Sequence, residues 1–324
     1  MCGIGGVWVF SDKSNRRLDK SDAQKLKKLA VLLESRGTDA FGFYNLDKLV
    51  KFPSRASQVI EQIEQLVPWE SLVVGKRAFL MHTRLATRGD PLNNINNHPF
   101  ETENFVLAHN GHIWTYDSYF ISEKTVSVVK NNIPETDSYQ IIEKIETEYS
   151  KDYDAFEATK RAIEKLYAYG DYALWIYSKT EHLLILYRDI NPLHIAYEND
   201  KLWFASEKEM LSALGFENIS SLAKGYMYAY DDKGFAKIDK INAETKTQKN
   251  NWLEYYYYNL YNDSNTKKKT KKLHKYDHKY EDDEKEDSED VFNEVCTQYC
   301  DEYNTCRRYY ESTGVRLCDL WKDS

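Results

Sequence analysis

Met1-Cys2-Gly3-Ile4-Gly5-Gly6-Val7-Trp8-Val9-Phe10 opens the chain. Residues 4–10 form a short apolar run of strand character, so a strand starts almost at the N-terminus and buries Cys2 at its end. Methionine is readily clipped before a small residue, and loss of Met1 would leave Cys2 with its own α-amine beside its thiol. An α-amine titrates near pH ~8 and can act as general base for a neighbouring nucleophile. Nucleophile and base then share one residue. No other cysteine occurs before Cys296.

Beyond that strand, residues 23–35 carry Leu26, Leu29, Ala30 and Leu33 at helical spacing, closed by Arg36-Gly37. Strand-like runs follow at 41–44, 78–83 and 105–109. Amphipathic helices are predicted over 136–148 and 155–167, then strands at 172–177, 183–187, 193–197, 202–205 and 226–230. Strands first, then paired helices, then strands indicate layered α+β rather than an alternating parallel sheet. Composition shifts near residue 240. The expected organisation is therefore a folded domain over 1–240, a charged linker over 241–290 and a small tail over 291–324.

The chain has 324 residues, 42% hydrophobic and 30% charged, with a net charge of -8 and a mean hydropathy of -0.70. This balance supports a large core and argues against a nucleic-acid partner. No apolar run approaches the roughly 20 residues that span a membrane, and no secretory signal is evident, so a cytoplasmic setting is expected. Four cysteines, Cys296, Cys300, Cys306 and Cys318, fall in the last stretch. They lack paired C-x2-C knuckles, which leaves structural zinc, disulfides and unligated thiols all open.

A cysteine that attacks a carbonyl needs an oxyanion hole and a grip on its substrate. The apolar run 105–109 leads into Asn110, whose side-chain amide can donate, and Gly111, whose backbone N–H is sterically open. Asn-Gly after a strand also suits a plain hairpin turn. Met81-His82-Thr83-Arg84-Leu85-Ala86-Thr87-Arg88-Gly89 ends a strand in a cationic, hydroxyl-rich loop, and a guanidinium fork suits a carboxylate. Pro134-Glu135-Thr136-Asp137 opens a helix and sets a carboxylate where an ammonium could dock. Arg84 and Asp137 together would read both charged ends of an α-amino acid; each alone is equally a surface arginine or a helix-dipole acid.

In this order the segments resemble the class II glutamine amidotransferases, the N-terminal-nucleophile family. The resemblance rests on Cys2-Gly3-Ile4-Gly5-Gly6, Arg36-Gly37-Thr38-Asp39 with Gly42, and His82-Thr83-Arg84-Leu85-Ala86-Thr87 with Gly89. It continues through Asn97-His98-Pro99-Phe100, His109-Asn110-Gly111, Glu135-Thr136-Asp137, Arg188-Asp189 with Pro192-Leu193, Phe204-Ala205-Ser206-Glu207 and Lys224-Gly225. It covers about the first 240 residues. The family implies a four-layer αββα sandwich of two antiparallel sheets, and hydrolysis of L-glutamine through a Cys2 thioester. By motif, Cys2, Asn110 and Gly111 are the expected catalytic residues, and Arg84, Thr87 and Asp137 the substrate-binding ones. Arg36, Asp39 and His98 are expected scaffolding. The chemistry calls for no cofactor and no metal in the site.

Two departures stand out. Leu85 replaces the tryptophan of the sugar-aminating branch, and Arg88 replaces its usual histidine. The flexible loop 85–99 is also unusual for its Asn93-Asn94-Ile95-Asn96-Asn97 run. Family members usually continue into a domain that consumes the ammonia, for which the last 80 or so residues are too few. The expectation is a glutaminase subunit serving a separate ammonia-accepting enzyme such as a synthetase. Two alternatives stay open: an independent amidohydrolase acting on another amide or γ-glutamyl compound, and a degenerate copy kept as a binding scaffold.

Overall fold

Gly3–Val9 forms the first strand, β1, and alternation along it separates two interiors. The computed structural model describes residues 2–10, 16–112, 134–166 and 173–241. Ile4 and Trp8 pack into a core between two sheets, whereas Val7 and Val9 pack outward against helices. Both faces of the strand are buried, which is why its sequence is apolar at nearly every position.

The first sheet has seven strands. Its order is β11 (Ile219–Ser221), β9 (His194–Glu198), β10 (Lys201–Ala205), β1, β4 (Ala78–Arg84), β2 (Ala40–Tyr44) and β3 (Leu49–Phe52). The second has six: β13 (Gly234–Lys240), β12 (Tyr226–Asp231), β8 (Leu183–Arg188), β7 (Ala173–Ser178), β6 (Phe105–Asn110) and β5 (Phe100–Glu101). Every pairing is antiparallel. Val106, Ala108, Trp175, Leu184 and Leu186 of the second sheet meet Ile4, Trp8 and Leu80 of the first. The Trp175 indole N–H crosses this interface to the Met81 carbonyl at 3.1 Å.

Helices cover both outer faces. α1 (Lys20–Leu33) starts on an Asp19 capping box with Asp22 and buries Leu26, Leu29, Ala30 and Leu33. α2 (Ala56–Glu64), α3 (Glu70–Val73) and α6 (Lys208–Ala213) join it on the first sheet. α4 (Asp137–Tyr149) and α5 (Ala155–Lys165) lie on the second, through Ile141, Ile142, Ile145, Phe156 and Ile163. The layers are thus α, β, β and α, as expected. The reading of the sequence left α2, α3, α6, β3, β5, β11 and β13 unassigned. The tail expectations, including those for Cys296, Cys300, Cys306 and Cys318, lie outside the described residues. Among the described residues no helix is long and apolar enough to cross a membrane.

α4 carries Asp137, and its far end is fixed to α5 by a carboxylate. Glu148 is buried, accepts from Lys151 at 2.7 Å and from Lys165 at 2.9 Å, and lies 3.5 Å from Arg161. Burial works to raise its pKa, but hydrogen bonds from Lys151 and Lys165 overcome this and hold it at about 2. A lowered carboxylate pKa contributes stability that is present above the unfolded value of ~4.3 and lost as pH falls toward the folded one. Glu148→Gln should therefore lower the melting temperature at pH 7 and leave little difference near pH ~2, as read by thermal denaturation across that range.

Candidate active site

Cys2 directly precedes β1, and the Gly3–Thr83 register sets it beside Arg84 at the end of β4. Its position is fixed from three directions. Ser206 exchanges hydrogen bonds with Ile4: the Ile4 N–H donates to Ser206 Oγ at 2.9 Å, and the Ser206 N–H donates to the Ile4 carbonyl at 2.9 Å. Arg36, at the end of the 3-10 turn that continues α1, donates from Nε to the Cys2 carbonyl at 2.8 Å. The same buried guanidinium is ion-paired with Glu207. Gly37 then passes so close to the β4 exit that a Cβ would sit 2.6 Å from both Arg84 O and Leu85 N. Asp39 closes the clamp: its N–H donates to Arg84 O at 2.9 Å, and its Oδ2 accepts from Ala86 N at 2.7 Å.

The clamp brings the Leu85 N–H to within 3.4 Å of the Cys2 sulfur. Burial pushes the thiol pKa up, the Leu85 N–H and the Arg84 charge pull it down, and Asp137 pushes it up again. Arg84, at the end of a first-sheet strand, and Asp137, at the start of α4 over the second sheet, therefore act on the sulfur together. Arg84 is buried. It donates from Nη1 to Asn97 Oδ1 at 2.8 Å and from Nη2 to the carbonyls of Arg88 and Gly89, the latter at 3.1 Å.

The loop after Arg84 is stitched rather than loose. Asn97 Nδ2 donates to Pro91 O at 2.8 Å, and Asn94 Nδ2 to Lys51 O at 3.0 Å. Asn96 Oδ1 accepts from the Glu135 N–H at 2.9 Å, which ties the loop to the residues that lead into α4. The asparagine run is thus a set of side chains that satisfy loop carbonyls. That role was not legible in the sequence, although the density of the run was.

The second sheet contributes the end of β6. His82 of β4 meets the His109 carbonyl at 3.1 Å through Nε2. A carbonyl only accepts, so Nε2 carries the hydrogen. Burial lowers the His82 pKa to about 3 and that of His109 to about 4, so both rings are neutral at pH 7. His109 Nδ1 lies 2.8 Å from the Ser138 hydroxyl, which seats the first turn of α4, with Asp137, against β6. Asn110 is fully buried, and neither Nδ2 nor Oδ1 has a hydrogen-bond partner among the described residues. Gly111 follows with φ 135°, a left-handed value suited to glycine.

Cys2, Arg84, Asp137, Asn110 and Gly111 thus converge on one end of the sandwich. Thr87 is exposed on the loop and stands apart from the contacts that hold Arg84. Ser138, Ser206, Asn96 and Asn97 join the site as supports. Among the described residues no group of three or more His, Cys, Asp or Glu side chains could hold a metal ion.

Residues 82–213 match the family model described as a glutamine amidotransferase domain. The chain is homologous to the class II glutamine amidotransferases. Similar curated proteins include the glutamine–fructose-6-phosphate aminotransferase (isomerizing) of Helicobacter pylori, 27% identical over 73% of this chain and 40% of that protein. The 7-cyano-7-deazaguanine synthase of Sulfolobus acidocaldarius is 25% identical over 72% of this chain and 49% of its own. A putative asparagine synthetase (glutamine-hydrolyzing) of Methanocaldococcus jannaschii is 28% identical over 79% and 39%. The chain thus spans less than half the length of these relatives. Among solved structures, the glutamine phosphoribosylpyrophosphate amidotransferase of B. subtilis, complexed with ADP and GMP, superposes with a TM-score of 0.56. That match covers 74% of this chain and 49% of that one at 22% identity, and it speaks for the amidotransferase fold.

The electrostatics of the sulfur can be read without substrate. Alkylation of Cys2 by iodoacetamide, followed by peptide mass, should show a titration midpoint above the ~8.5 of a free thiol. Asp137→Asn should move that midpoint to lower pH, because it removes a charge that disfavours the thiolate.

Proposed function

We propose that this domain hydrolyses L-glutamine to glutamate at Cys2 and releases ammonia to an acceptor enzyme on a separate polypeptide. The observation that carries this reading is Asn110: a fully buried side-chain amide with no partner among the described residues, at the end of β6. A buried unpaired amide is costly, by about 1–3 kcal/mol. Such a cost is understandable where a substrate oxygen completes the bond.

In this mechanism removal of Met1 frees the Cys2 α-amine, which takes the thiol proton. The sulfur attacks the side-chain amide carbon of glutamine. Negative charge gathers on the amide oxygen, which accepts hydrogen bonds from Asn110 Nδ2 and the Gly111 N–H. The intermediate collapses, the C–N bond breaks, and the protonated α-amine returns its proton to the departing nitrogen as ammonia. Water then gives a proton to the α-amine and its oxygen to the γ-glutamyl thioester, which releases glutamate and the thiol. Arg84 holds the substrate α-carboxylate with guanidinium donors left over from its three loop contacts. Asp137 receives the α-ammonium, and Thr87 lines the mouth.

The relatives' names, an aminotransferase and a glutamine-hydrolyzing synthetase among them, support an ammonia-consuming partner. A nucleophilic thiol must stay reduced, which favours the cytoplasm.

Steady-state glutamate release tests the reading. Asn110→Ala should reduce kcat by roughly 10²–10³-fold with KM nearly unchanged, as for loss of one oxyanion donor. Arg84→Gln should instead raise KM for glutamine, with asparagine and γ-glutamyl dipeptides poor substrates throughout. Equal turnover of an amide lacking the α-carboxylate would overturn the assignment of Arg84. Purification of the tagged full chain from its native cell should retain an amination enzyme; glutaminase activity unaffected by every co-purifying protein would overturn the separate-acceptor part.

A further inference from the structure

Asn191 lies in the loop between β8 and β9 and is buried. Its Nδ2 donates to the main-chain carbonyl of Asn110 at 3.0 Å, across 81 positions of sequence. That carbonyl belongs to the same peptide unit as the Gly111 N–H. The peptide is trans, since the cis bond among the described residues is His98–Pro99. In a trans peptide the C=O and N–H vectors point in opposite directions within one rigid plane. Whatever holds the Asn110 oxygen therefore aims the Gly111 hydrogen.

This aim needs holding. β5 pairs with Leu107 and Val106 only, so the last residues of β6 extend beyond their β5 neighbour. Gly111 at φ 135° has no Cβ to restrict its peptide plane. β7 pairs with β6 as far as Asn110, opposite Ala173, and His82 grips the preceding carbonyl, that of His109; among the described side chains Asn191 is the one that holds the Asn110 oxygen.

Asn191 is itself firmly mounted. The Gly225 N–H donates to Arg188 O at 2.9 Å at one end of its loop, and Leu222 N–H to Leu193 O at 3.0 Å at the other. Pro192 restricts the backbone of the residue before it, and Leu193 is fully buried in the core between the sheets. The adjoining Ile190 is 57% exposed, so the loop turns a buried amide inward from a solvent-facing stretch.

The geometry points to Asn191 as a positioning residue that orients the Gly111 N–H toward the developing oxyanion. It touches neither substrate nor thiol and acts through the Asn110–Gly111 peptide. The inference rests on the glutaminase reading above and adds the element that sets the oxyanion hole. It also gives the 189–192 loop a direct route to the chemistry from the second half of the domain.

The test uses the full chain with Asn191→Leu, similar in size but without a donor, and Asn191→Ala as a second variant. Three rates are compared with wild type: glutamate release, Cys2 alkylation by iodoacetamide, and binding of the γ-aldehyde analogue of glutamine. Alkylation displaces iodide and builds no oxyanion, whereas addition of the thiol to the aldehyde does. For at least one folded variant, kcat should fall by about 10–100-fold, a fraction of what a lost oxyanion donor costs. Aldehyde affinity should fall in parallel, while KM and the alkylation rate stay within about 2-fold. Full kcat in every folded variant would overturn the role. So would alkylation, KM and melting temperature that worsen along with kcat, since that pattern means a collapsed site. A wild type that is alkylated at Cys2 but releases no glutamate and ignores the aldehyde rejects the glutaminase reading itself, and the positioning role with it.

Discussion

The hydrogen bond from Arg36 Nε to the Cys2 carbonyl is the constraint on which the site depends. A residue one position from the chain end would ordinarily fray. Here α1 delivers Arg36 through a 3-10 turn, and Glu207, just after β10, neutralises the buried guanidinium from the other side. The two strands that flank Cys2 in space are thereby linked to it before any substrate arrives. Gly37 and Asp39 extend the same segment onto the β4 exit, so the thiol and the Leu85 N–H that faces it are held by one continuous stretch, residues 36–39.

Around this clamp the interior is made of neutral groups. His82, His98 and His109 are all buried, with pKa values depressed first of all by that burial. The His82 and His98 rings lie tilted with centroids 4.1 Å apart, an approach that charge on both rings would oppose. The charges that do act on the sulfur, Arg84 from the end of β4 and Asp137 from the start of α4, have opposite effects. Burial raises the thiol pKa, and the Leu85 N–H and these two opposed charges adjust it; the proposed grip on a zwitterionic amino acid would use the same two charges.

Much of the architecture was legible. Leu26, Leu29, Ala30 and Leu33 announced α1, and the apolar runs announced β1, β4, β6 and β8, because each of these elements buries a face or both faces. The four-layer arrangement came from the resemblance of ordered motifs, not from periodicity. α2 was equally readable, with Ala56, Val59, Ile60 and Ile63 buried on one face, and was simply not assigned. β13 was not readable, because an edge strand whose side chains face largely outward carries no alternation of buried positions. In the site, residue types foretold which side chains gather, since Cys2, Arg84, Asn110 and Asp137 are chemically loud. They did not foretell the supports. Asn97, Asn191 and Ser138 work through backbone carbonyls or neighbouring side chains that only the folded chain brings near, and Asn191 meets its partner 81 positions away.

The central claim is that Cys2 is a mature nucleophile in a pocket shaped for glutamine. Intact mass before and after treatment with a diazoketone analogue of glutamine, on wild type and Cys2→Ala, tests it most directly. The account predicts loss of Met1 and a single adduct on wild type that free glutamine suppresses, with none on Cys2→Ala. Retained Met1, or a folded wild type that takes no adduct, would contradict it.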